Sequence, residues 1–156
     1  MKPRSLTPLS QRAISLAGIL GVGLGWMAHR IWERTTASPA PLVSWLQPVS
    51  LAVIGGLLLL LARVTRKQLK ERHLLEPQRA VNRLVLGRAG ALVGSLVAGG
   101  YLGYAISWLD YSGDPLAAQR IWLSLAATAA GALIVVGGLL LERACRIDPP
   151  EAEALN

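Results

Sequence analysis

The sequence predicts an all-α integral membrane protein, a four-helix bundle of two helical hairpins with both termini in the cytoplasm. Three observations predict it. First, the stretches 13–28, 35–62, 89–109 and 121–141 contain no Asp, Glu, Lys or Arg. The last two, of 21 residues each, cover ~31 Å as helix, about one hydrocarbon core. None alternates with period two, so helices rather than a barrel must satisfy the backbone. Second, the aromatic residues sort to one set of ends. Trp26, Trp32, Trp45, Trp108, Trp122 and Tyr111 cluster there, and Tyr101 and Tyr104 lie in the same half of the third stretch. Third, thirteen of the sixteen basic residues sort to the other ends, in 1–12, 63–88 and 143–156. Only Arg30, Arg34 and Arg120 oppose them. The positive-inside rule then places both termini and the long loop in the cytoplasm, with the five tryptophans as anchors at the outer interface.

Each helix has its own start and stop signals. Thr7-Pro8 supplies a cap and a first-turn proline, predicting helix one over about 8–33. A signal peptide competes for this segment, because 1–12 is basic and 13–28 is short. Cleavage after Ala28 would put Trp26 where a small residue is needed, and Ala40 lies too far on, so an uncleaved span is favoured. The turn-rich connector 35–42 precedes helix two, expected over about 47–75. Pro48 is harmless in a first turn but would cost about 3 kcal/mol in a helix interior. Glu76-Pro77 restarts the chain for helix three, about 78–109, and Asp114-Pro115 starts helix four, about 115–145. Together, 1–146 reads as one transmembrane domain, followed by an acidic, proline-broken tail, 147–156, expected to be disordered.

Composition excludes several chemistries. Cys145 is the sole cysteine, so an internal disulfide or cysteine metal cluster cannot form. The formal net charge of +7 abuts membrane spans and lacks aromatic stacking partners, which argues against nucleic acid. Thirteen Arg against three Lys, with abundant Ala, Gly and Leu, points to a GC-rich bacterial genome and hence to a bacterial plasma membrane.

Inside the membrane the clearest signal is small residues at spacing four. Ala13, Ala17, Gly21 and Gly25 line helix one; Ala91, Ser95, Gly99 and Gly103 line helix three; helix four has Ala127 and Gly131. Close backbone approach drives helix association in lipid, so these stripes are expected at contact faces, within one chain or between copies in a homo-oligomer. Gly23-Leu24-Gly25-Trp26-Met27-Ala28 fits a dinucleotide pattern formally, but it follows no strand and lacks an acidic ribose partner. It reads as packing. No ionisable residue lies mid-span, and the hydroxyls of Ser15, Ser50, Ser95, Ser107, Ser124, Thr128, Tyr101 and Tyr104 are expected to bond carbonyls of their own helices.

Catalytic, metal and cofactor sites find no support. His29 and His73 fall on opposite sides of the membrane. His73 and Glu76 lack a third ligand, and Asp110 and Asp114 read as caps. Cys145 has no His or Lys beside it in sequence to activate the thiol; the roles of Glu142 and Arg143 stay open. The segment 63–88 is the favoured interaction region. Arg63, Arg66, Lys67, Lys70, Arg72, Arg79 and Arg83 are expected to contact anionic lipid headgroups or a protein partner there. A weak repeat relates 12–23 to 88–99, and Gly55-Gly56 before Arg63 echoes Gly137-Gly138 before Arg143. It would make the two hairpins a tandem pair about an axis along the membrane normal, and chance matching in Gly- and Leu-rich helices is the competing account.

Three runs carry a resemblance to a known family. They are Pro41-Leu42-Val43-Ser44-Trp45-Leu46-Gln47-Pro48, the segment from Glu76 through Leu86-Gly87-Arg88-Ala89-Gly90-Ala91-Leu92 to Gly94, and Leu141-Glu142-Arg143-Ala144-Cys145-Arg146. They resemble an actinobacterial family of four-helix membrane proteins, domain of unknown function 3180, over nearly the whole chain. The family commonly has a serine where this chain has Gly90, so the resemblance implies no hydroxyl chemistry there. It implies the same four-span topology and no reaction. The expected function is a non-catalytic accessory or scaffolding component of the membrane. A small transporter or channel subunit built from the two hairpins is the alternative, and it requires a polar cavity between helices one and three.

Overall fold

A computed structural model describes residues 10–35, 44–70, 77–109 and 115–145. They form four α-helices and no strand: α1 (Gln11–Thr35), α2 (Leu46–Lys70), α3 (Pro77–Ser107) and α4 (Pro115–Ala144). Each contains a segment long and apolar enough to cross a membrane, from 22 residues in α1 to 30 in α4. The fold class is therefore the one read from the sequence, an all-α, multi-pass arrangement.

Local chemistry sets the boundaries. Ser10 caps α1: its Oγ accepts the Arg12 amide at 3.2 Å, and its carbonyl accepts the Ala13 amide at 2.9 Å. Ser44 does the same for α2, accepting the Leu46 amide at 3.4 Å, and Pro48 falls within the first turn. Pro77 and Pro115 open α3 and α4, where a missing amide hydrogen loses nothing. The expected start at Thr7-Pro8, the segment 71–76, the turn 110–114 and the tail 147–156 lie outside the described residues.

The helices pack in the spatial order α1–α3–α4–α2. α3 and α4 run antiparallel, with Gly87 beside Gly138 and Gly94 beside Gly131. α1 runs parallel to α3, and α2 parallel to α4 with Gly55 beside Leu133 and Gly137 beside Leu58. α2 also reaches α3, since a methyl on Gly90 would meet Leu58 Cδ1 at 3.1 Å. α1 takes another face of α3, through Ser95, Leu96, Gly99, Gly100 and Gly103. The chain-adjacent helices α1 and α2 are thus not packed as a hairpin. The expected hairpin pairing holds for α3 and α4. A twofold relation between tandem hairpins would require α1 to pack on α2 as α3 packs on α4, and the packing lacks that symmetry.

Glycine decides the α1–α3 contact. A methyl on Gly21 would fall on the Leu96 carbonyl oxygen, on Gly25 on that of Gly100, on Gly99 on that of Gly18, and on Gly103 on that of Val22. Only hydrogen fits, and the gain is dispersion between closely apposed backbones. Ser95 adds a polar tie, donating its hydroxyl to the Ile14 carbonyl across the interface at 2.7 Å. The hydroxyls of Ser15, Ser50, Thr65, Ser107 and Thr128 bond within their own helices, as expected of span hydroxyls. Ser95 departs from that expectation because Gly18 lets α1 come within reach. Ser124 departs as well, since its buried hydroxyl bonds no carbonyl among the described residues. Ala17 is half-buried, Ala127 is fully buried, and Gly131 lies against Ala98.

Between α2 and α4 the core is larger and aliphatic: Leu58, Ala62, Ile134 and Leu141, flanked by Leu51, Leu61 and Cys145. Burial grades from 44% of the apolar window in α4 to 11% in α1, which makes α4 central and α1 peripheral. Leu16, Ile19, Leu20, Leu24 and Met27 on α1, with Val53, Leu57 and Leu60 on α2, are exposed. So much contiguous apolar surface suits lipid and not water.

Candidate functional site

Polar side chains gather at the two ends of the helix row. At the basic end, the C-termini of α2 and α4 meet the N-terminal part of α3. Arg83 of α3 donates from Nη1 to Thr65 Oγ1 at 3.0 Å and to Gln68 Oε1 at 3.1 Å, both on α2. Thr65 is fully buried and donates its own hydroxyl hydrogen bond to the Leu61 carbonyl at 2.7 Å. One turn deeper, Arg88 Nε faces Glu142 Oε1 at 3.4 Å and ties α3 to α4. Glu142 is only 4% exposed, so its charge needs this partner. Both arrangements join helices.

Cys145 packs on the aliphatic core at the same end. Burial pushes its thiol above the usual range, and the nearby Arg83 charge counters only part of that. At neutral pH the group is a thiol and a weak nucleophile. The sequence places no His or Lys beside Cys145; the fold brings the Arg83 charge near it from another helix.

Between α2 and α4, Arg63, Arg66 and Arg143 surround a cleft of about 260 Å³ whose remaining walls are Ala62, Leu140 and Ala144. All three arginines are exposed, and among the described residues none has a carboxylate partner. Of the other expected lipid or partner contacts, Lys67 is exposed, Lys70 closes α2, Arg79 lies in the first turn of α3, and Arg72 falls outside the described residues. Arg83 is half-buried and turned toward α2. The structure therefore divides the basic segment into a tie and a rim, and adds Arg143 to the rim.

At the aromatic end, Trp26, Trp32, Trp45 and Trp122 are exposed, as interfacial anchors would be. Trp108 is half-buried. The Arg120 guanidinium lies over its ring at 4.3 Å, and the His29 ring packs on it at 4.4 Å. Tyr104 closes the group, edge-on to His29 at 5.9 Å. His29 is 2% exposed and Arg120 7%, so α1, α3 and α4 meet through buried polar side chains. A guanidinium over an indole face is held by the ring quadrupole, more strongly when desolvated. Sequence position alone presented Arg120 only as a charge opposing the basic end, with Arg30 and Arg34. The signal was its spacing: Arg120 precedes Ser124, Ala127 and Gly131 on one face of α4, and His29 continues the stripe Ala17, Gly21, Gly25 on α1.

Among the described residues no three His, Cys, Asp or Glu side chains converge as metal ligands. Over residues 18–25 the α1–α3 interface is closed by backbone contact, which leaves no polar cavity of the kind a transporter reading requires there.

Four apolar helices, glycine-mediated contacts and charged ends define a multi-pass helical membrane protein. The chain belongs to the family described as Protein of unknown function (DUF3180), which it matches over residues 5–149. No curated protein and no solved structure matches it.

Proposed function

We propose that the protein is a non-catalytic accessory or scaffolding component of the bacterial plasma membrane, with both termini and the basic end in the cytoplasm. The observation that carries this reading is the use made of its inward polar groups. Arg88–Glu142, Arg83–Thr65–Gln68 and Ser95–Ile14 each join one helix to another. The outward-facing arginine rim and apolar faces are what the molecule offers to lipid or to a protein partner near 63–88.

At its native level in bacterial membranes, the chain is expected to copurify with a protein in fixed stoichiometry. Reversing charge with R66E/K67E should release that protein. A lone chain at every expression level would overturn the proposal. The orientation is checked separately in a C145S background. Gln119 is exposed near the start of α4 and Lys67 near the end of α2. An impermeant thiol reagent is expected to label Gln119→Cys in intact cells, and Lys67→Cys only after permeabilisation. The opposite pattern would invert the topology.

A further inference from the structure

We infer that the cleft between α2 and α4 is a binding site for an anionic phospholipid, with Arg63, Arg66 and Arg143 holding a headgroup that carries two phosphodiester charges. The inference rests on the proposed lipid-facing role of the basic end and gives that role a defined place and ligand. The electrostatics come first. Guanidinium groups stay charged at any physiological pH, and three around one cleft of about 260 Å³ repel each other until an anion enters. Glu142, next to Arg143 in sequence, faces Arg88 instead. Arginine's planar fork matches phosphate oxygens in pairs, and three forks exceed what one phosphodiester charge can balance.

The walls choose lipid over a soluble phosphate. Ala62, Leu140 and Ala144 make the rest of the cleft apolar, and it opens at the end of two membrane spans. Toward mid-span the same faces continue at helical spacing: Leu59 and Gly56 lie four and seven residues before Arg63, and Val136 and Leu133 four and seven before Leu140. Gly56 has open space where a side chain would begin, and Val136 and Leu133 are exposed. An acyl chain seated in this groove would leave its phosphates level with the arginines. A soluble phosphate would use the arginines alone.

The test uses the full chain, purified in detergent without partners, and lipid retention read by native mass spectrometry. Diphosphatidylglycerol is expected to be retained over phosphatidylglycerol and phosphatidylcholine. R66Q and R143Q should each weaken retention about fivefold, the effect of one juxtamembrane basic contact. R12Q, which removes the same charge from the exposed start of α1, outside the cleft, should change it little. G56L fills the groove without altering charge and should also weaken retention. Equal losses for R12Q and R66Q would reduce the effect to diffuse charge and overturn the site. Full competition by inorganic pyrophosphate, with G56L silent, would assign the cleft to a soluble phosphate and overturn the lipid. Because no partner is present, failure here leaves the accessory role standing, and a lone chain in native membranes leaves this site standing.

Discussion

Replacing Gly25 with leucine is expected to undock α1, whereas the same change at Gly23, two residues away, should be tolerated. A methyl on Gly25 would fall on the Gly100 carbonyl oxygen, while one on Gly23 meets nothing within 4 Å. The obstacle is backbone, so no rotamer change can relieve it. Overpacking of a close contact costs about 1–3 kcal/mol, and α1 has little other burial to hold it in place. The readout is a disulfide between Gly18→Cys and Ser95→Cys in a C145S background. A side chain at Gly18 would begin 3.2 Å from Ser95 Oγ, so this cross-link should form readily. It should be lost in G25L and kept in G23L. Equal cross-linking in both would mean that glycine contact does not position α1.

Trp108→Ala should destabilise the protein by about 2 kcal/mol, and Trp122→Ala by no more than about 0.5 kcal/mol. Both residues sit at the aromatic end, but Trp122 is 73% exposed while Trp108 carries Arg120 on one face and packs against His29. Truncating Trp108 removes the ring that joins α1, α3 and α4, and leaves a buried guanidinium without its aromatic support. Trp108→Phe should recover part of the loss, since a phenyl ring keeps the packing and a weaker quadrupole. Thermal unfolding in mild detergent measures all three. Indistinguishable midpoints for the two alanine variants would show that Trp108 acts only as an interfacial anchor.

Much of this architecture was legible in the sequence because the membrane imposes a simple grammar. Runs without charge had to be helices of about this length, and Pro48, Pro77 and Pro115 fixed three starts within a turn. Gly21, Gly25, Gly99 and Gly103 stood out because lipid gives apolar side chains no preference for one another. The order of packing was not legible. A short connector between helices one and two implies that they are neighbours, yet complementary glycine faces pair α1 with α3 instead. Arg83 and Arg120 were hidden for a related reason. Both sit near the ends of apolar runs, where charge normally faces water, and contacts from other helices, among them Thr65, Gln68 and Trp108, draw them inward. The arginine cleft likewise joins residues about eighty positions apart, Arg63 and Arg143, through the parallel run of α2 and α4.

The order α1–α3–α4–α2 bears on how the protein is made. A ribosome delivers α1 and α2 to the bilayer first, and neither has a packing partner at that point. The last helices synthesised, α3 and α4, are the ones each of them docks on. The early half must therefore wait in the lipid as two separate spans, and the late hairpin gathers them from either side. A nascent chain released after Lys70 would hold two inserted helices and no folded unit, open to whatever membrane quality control recognises unpaired glycine faces.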